Sequence, residues 1–120
     1  MADEKNTGRG LVKPLDADEV AAVTIAVSAG EITDASFSCS PDEYLTACAE
    51  TLCRVVRDKP VTDIFQMNAN AVYYNIETDL PRNKLYCASM VVTAAKRAAA
   101  DWCKKNGIEV PRTEDGCSCY

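Results

Sequence analysis

Cys87 stands where the loop Asp79-Leu-Pro-Arg-Asn-Lys-Leu-Tyr gives way to an alanine-rich run ending Ala-Asp-Trp-Cys-Lys-Lys-Asn-Gly107. The pattern predicts a long helix with a thiol in its first turn. A helix N-terminus carries about half a positive elementary charge, which biases such a thiol toward the thiolate that binds metal and attacks sulfur. Cys48 and Cys53, five apart on a predicted helix, face about 140° away from each other and cannot chelate together. Cys48 lies on the apolar stripe of that helix and reads as packing. Cys53 and Cys103 fall at stripe edges or outside. Near the C-terminus, Cys117-Ser-Cys119 is a pair that can chelate a soft metal or carry and resolve a persulfide. Two residues apart is a poor zinc spacing, so this pair needs ligands from elsewhere, such as a loop site around Cys87. The sequence contains no histidine, which excludes imidazole acid–base chemistry and every Cys/His zinc pattern.

The chain of 120 residues is the length of one domain with its own core. Hydrophobic residues make up 48% of it, with only five Gly and five Pro, the balance of a compact protein rather than a linker. A net charge of −5 argues against nucleic acid and anionic membranes as partners. The opening Met-Ala-Asp-Glu-Lys-Asn has no apolar signal core, and no apolar run nears the ~20 residues a bilayer requires. A cytoplasmic location is therefore expected. There the seven cysteines are free thiols, metal ligands or small core residues, not a disulfide framework.

The elements that must position these groups follow from periodicity and breakers. Residues 1–9 read as a frayed N-terminus, and Leu11-Val12 as a short apolar piece before the loop at Pro14. Val20 to Val27 ends in strict alternation, a half-buried strand, and Ile32 to Ser38 is a second. The short connection Ser28-Ala-Gly-Glu31 makes them an antiparallel hairpin. Ser40-Pro41-Asp42-Glu43 opens a helix, with Ser40 read as N-cap and Pro41 at the first position. Its stripe is Leu45, Cys48, Ala49, Leu52, Val55 and Val56. Val61–Met67 and Ala69–Glu77 read as short helical pieces. The last helix, about Lys84 to Asn106, carries Cys87, Met90, Val91, Ala94, Ala98 and Trp102 on one stripe, with Lys96, Arg97, Lys104 and Lys105 outside and Gly107 as its cap. Strands first and helices after predict an α+β fold: a small antiparallel sheet of about three strands with helices packed on one face.

This order, and four local motifs, resemble the NifU/IscU iron–sulfur scaffold family. The family's G-x-V-G-A-P-A-C-G-D-V aligns without gaps on Gly10-Leu-Val-Lys-Pro-Leu-Asp-Ala17-Asp-Glu19-Val20. Its I-x-D-A-x-F strand is Ile32-Thr-Asp-Ala-Ser-Phe37, and its x-K-G-K-[ST] helix end is Val56-Arg-Asp-Lys59-Pro60. The last motif, L-P-P-V-K-x-H-C-S, is Leu80-Pro-Arg-Asn-Lys84-Leu-Tyr86-Cys87-Ala88. The resemblance covers residues 10–107 and implies a SufE/NifU (IscU)-like domain, followed by a tail, 108–120, with the Cys-x-Cys pair.

What the resemblance implies for the site departs from the family pattern. The family holds its cluster with three cysteines, helped by an aspartate and a histidine. The first cysteine falls on Ala17, the aspartate on Glu19, the second cysteine on Asp42 and the histidine on Tyr86. Cys87 alone is kept, with Cys39 three residues before Asp42 as a substitute thiol. A thiolate-bound cluster cannot be assembled on one cysteine per chain. The implied metal ligands are Cys87, Cys39, Asp42 and Glu19, with Cys117 and Cys119 as tail ligands. They suit a single iron or zinc ion, or a cluster completed by a second copy of the chain. Leu80, Pro81 and Lys84 match the family's chaperone-read segment, but its second proline and its valine are absent. Three readings stay open. One is a non-enzymatic scaffold working with a cysteine desulfurase and other iron–sulfur biogenesis proteins. Another is a SufE-like persulfide acceptor on Cys39. The third is an interaction module whose metal site has lapsed.

Overall fold

Alternation and turn chemistry build a three-stranded antiparallel sheet in the order β1-β2-β3: β1 Thr7–Val12, β2 Ala21–Ser28 and β3 Glu31–Cys39. The structure is a computed structural model and describes residues 6–13, 20–77 and 79–108. Helices follow: α1 Glu43–Val56, α2 Val61–Ile64, α3 Asn70–Tyr73, a single 3-10 turn Arg82–Lys84, and α4 Tyr86–Lys105. The α+β order expected from sequence is the one observed. β1 opens at Thr7, three residues ahead of the Gly10 where the sequence motif starts. Between β2 and β3 the two-residue loop Ala29-Gly30 has φ of +53° and +80°, the left-handed pair that matches strand twist in a hairpin. The register slips once, at Ala26/Val27.

The core lies between the sheet and the helices. β2 and β3 contribute Val23, Ile25, Ile32 and Ala35, and α1 contributes Leu45, Cys48, Leu52 and Val56. α4 is the central element, because it packs on β1, β2, α1, α2 and α3. Its alanines allow this. A Cβ added to Gly8 would stand 2.1 Å from the Ala98 carbonyl oxygen, and one added to Gly10 2.0 Å from that of Ala94. Glycine on the strand and alanine on the helix thus permit backbone-to-backbone approach. Burial broader than one stripe corrects part of the sequence reading. Lys96, expected outside the stripe, is only 4% exposed, and Cys103 and Cys53, expected at edges, are both buried.

α4 also covers the free edge of β1. Arg97 donates to the Leu11 carbonyl at 2.7 Å, Lys105 donates to that of Thr7 at 3.3 Å, and Asp101 accepts the Arg9 N–H at 3.0 Å. These three side chains recur every fourth residue, one per turn, so a single stripe of α4 satisfies edge groups that would otherwise invite another strand. At the other end of α4, the Ile108 N–H reaches the Cys103 carbonyl at 2.8 Å past Gly107 at φ +69°, as the glycine cap predicts.

Candidate functional site

The chemistry-bearing residues collect where β3 ends and α1 and α4 begin. Ser40, expected to cap α1, bonds elsewhere. Its hydroxyl accepts the Val20 N–H at 2.8 Å, and its own N–H donates to the Val20 carbonyl at 2.9 Å. These bonds tie the start of β2 to the end of β3. The cap falls two residues on, at Asp42, and α1 starts at Glu43. Asp42 Oδ1 accepts the N–H groups of Tyr44 and Leu45 at 2.9 and 3.0 Å. A short side-chain acceptor meets the second and third N–H groups of the helix in the usual way.

The other carboxylate oxygen accepts from Lys84 Nζ at 2.7 Å. The two side chains are only 23% (Lys84) and 20% (Asp42) exposed, so the pair is largely shielded from water. It links the N-terminus of α1 to the turn that leads into α4. Lys84 also lies 3.5 Å from the Tyr86 hydroxyl and 5.7 Å over its ring. The Lys84 hydrogen bond, then that from Leu45, hold the Asp42 carboxyl below its ordinary 3.8 against the opposing effect of burial. The Tyr73 hydroxyl braces the same loop through the Leu85 carbonyl at 3.2 Å.

The thiols divide by access. Cys87, the second residue of α4, is fully buried, as is Cys48 on α1. Burial pushes the Cys48 thiol up to about 12, and the nearby Cys87 and Asp42 add to the effect. Cys48 therefore belongs to the surroundings of Cys87, a neighbourhood that periodicity assigns to packing alone. Burial likewise raises Cys53 to about 11 and lifts Cys103. Cys39, the last residue of β3, is half-buried, with its Sγ 3.6 Å from the Thr46 hydroxyl. Among the described residues it is the one cysteine not buried.

The sequence-predicted ligands are thus brought together only in part. Cys87, Asp42 and Lys84 share one end of the molecule with Cys39. No group of three Cys, Asp, Glu or His side chains among the described residues is placed to hold a metal ion. Asp42 has both oxygens engaged. Glu19, Cys117 and Cys119 lie outside the described residues. In the segment expected to meet a chaperone, Leu80 packs against the core, Pro81 is exposed and Lys84 is committed to Asp42. No helix among the described residues is long and apolar enough to cross a membrane.

A three-stranded antiparallel sheet with helices on one face, and a loop site at the helix N-termini around Cys87, define the class to which the sequence motifs pointed. A family model for the NifU-like N-terminal domain matches residues 1–109, and the chain belongs to that family of iron–sulfur cluster assembly scaffolds. No curated protein gives a significant match.

Proposed function

We propose that this protein serves iron–sulfur assembly as a scaffold-like, non-enzymatic carrier whose cargo is iron, zinc or a transient cluster, taken at the loop site centred on Cys87. The observation that carries this reading is the Asp42–Lys84 ion pair of 2.7 Å. It draws the position matching the family's second cysteine toward the segment that bears the third. The site retains one inherited thiol, a nearby second thiol in Cys48 and a carboxylate. With both Asp42 oxygens engaged, those groups do not complete a thiolate or mixed sulfur–oxygen set. Loading therefore requires Glu19, the Cys117/Cys119 pair, or thiols from a second copy or from a cysteine desulfurase. It also requires Asp42 to release Lys84 if the carboxylate is to act as a ligand.

The test is metal and labile-sulfide analysis of anaerobically purified protein, wild type beside Cys87→Ala. Iron or zinc near one per chain, lost in the variant, supports the reading. No metal in either protein refutes it.

One observation favours a second reading, transfer of sulfur. Cys39 combines solvent access with a place at a strand end beside the site. In that reaction the Cys39 thiolate attacks the outer sulfur of a desulfurase persulfide. A new S–S bond forms on Cys39 as the donor's S–S bond breaks, and the donor leaves as thiolate. Persulfide labelling of Cys39 in protein without metal would select this reading over the carrier.

A further inference from the structure

On the side of the molecule remote from Cys87, β1 and the C-terminal half of α4 enclose a groove of about 410 Å³. Arg9, Gly10 and Leu11 form one wall; Arg97, Ala100, Asp101 and Lys104 form the other. The lining holds three cations and one carboxylate in a chain whose net charge is −5. That carboxylate is already engaged, by the Arg9 backbone N–H at 3.0 Å and by Lys105 Nζ at 3.2 Å. The Arg9 guanidinium and the Lys104 ammonium have no acceptor among the described residues. Arg97 spends one nitrogen on the Leu11 carbonyl at 2.7 Å, while its Nε is buried with no hydrogen-bond partner among the described residues. A buried donor without an acceptor is penalised, so an oxygen that reaches it relieves a cost the free protein bears.

From this groove we propose that it docks an extended acidic segment of a partner protein, with carboxylates meeting Arg97, Arg9 and Lys104. Arg97 and Lys104 lie two turns apart on one side of α4, about 10 Å along the axis, the span of three residues of extended peptide. The groove is therefore longer than a single small anion. Leu11, half exposed beside it, offers an apolar contact for a residue between the acids. Backbone pairing adds little, because α4 side chains already cap the Thr7 and Leu11 carbonyls and the Arg9 N–H. Recognition rests on side-chain charge, which makes it steep in salt.

The experiment titrates a fluorescein-labelled oligo-glutamate peptide against the full chain by anisotropy, with the Arg97 Nε–H cross-peak followed by NMR. Binding that weakens about tenfold or more in the Arg9→Glu/Lys104→Glu double variant is expected, while Lys59→Glu, a reversal beside β3 at the opposite edge of the sheet from β1, leaves it within about twofold. The Arg97 Nε–H resonance is expected to shift on saturation, a change that a merely structural arginine would not undergo. Failure of the wild type to bind overturns the proposal, as does equal weakening by Lys59→Glu or an Arg97 signal that stays in place. Inorganic phosphate displacing the peptide at comparable concentration also overturns it, in favour of a small-anion pocket.

Discussion

Asp42 plays two roles that substitution can separate. Asp42→Asn keeps a side-chain oxygen for the Tyr44 and Leu45 N–H groups and removes the charge that Lys84 meets. Asp42→Ala removes both functions. Losing an N-cap costs about 1 kcal/mol. A shielded ion pair with good geometry contributes about 1 kcal/mol more, the upper end for pairs near the surface. Asp42→Ala is therefore expected to lower stability by about 2 kcal/mol, with Asp42→Asn and Lys84→Met each costing about 1 kcal/mol. For a domain of this size, about 4 °C in Tm accompanies each kcal/mol. Thermal unfolding followed by circular dichroism at neutral pH reads these shifts. The double variant Asp42→Asn/Lys84→Met is the decisive member. If the two groups act on each other, its cost stays near 1 kcal/mol instead of doubling.

The same pair sets a pH dependence whose sign is fixed. The folded-state pKa of Asp42 lies below its ordinary 3.8. Between the two values the unfolded chain binds a proton that the folded chain does not, so acid favours unfolding there. The contribution is fully present above the unfolded value and is lost as pH falls through the folded one. Asp42→Asn should accordingly flatten the acid limb of the Tm profile as pH falls to 3.8 and below. Additive single-variant costs, together with an unchanged acid limb, would refute the assignment of Asp42 to an ion pair.

Three further outcomes follow from the packing. Alkylation of native protein at about pH 8 should label Cys39 and spare Cys48, whose thiol at about 12 is ionised to about one part in ten thousand, with Cys53 and Cys103 also spared until denaturant is added. Peptide mass mapping reads this, and early labelling of Cys48 contradicts its burial. Gly10→Ala would set a methyl 2.0 Å from the Ala94 oxygen and 2.4 Å from the Ala98 nitrogen, so a loss of about 3 kcal/mol or more is expected. A Tm within about 2 °C of wild type would mean that α4 and β1 are not in backbone contact. Ala29→Asn should raise stability by about 0.5–1 kcal/mol in a denaturant titration, because Ala29 holds φ +53° where asparagine is better tolerated.

How far the sequence could be read follows the range of the interactions that decide each feature. The hairpin, the strand-then-helix order and the Gly107 cap are set by neighbours a few residues apart, and each appears where the pattern places it. The start of α1 is not so determined. Ser40-Pro41 has sound capping chemistry, but Ser40 bonds instead to Val20, twenty residues away, and the cap passes to Asp42. The buried girth of α4 was hidden for another reason. Alanine is too weakly apolar to mark a stripe, so a helix packed by five other elements reads like one with a single buried side.

At the site, counting along the family motif brings position 42 into the neighbourhood of Cys87, yet residue type alone made Asp42 a ligand. A carboxylate is available to a metal only while its lone pairs are unspent. Here two backbone N–H groups occupy Oδ1 and the Lys84 ammonium holds Oδ2, which leaves one of about four lone-pair sites. Lys84 lies in the turn that leads into α4, so Asp42 is paired with a cation from the loop that precedes Cys87. The carboxylate charge is neutralised by lysine. The pair thereby ties the N-terminus of α1 to the turn before α4, and a ligand that takes the place of Lys84 on Oδ2 must break that tie.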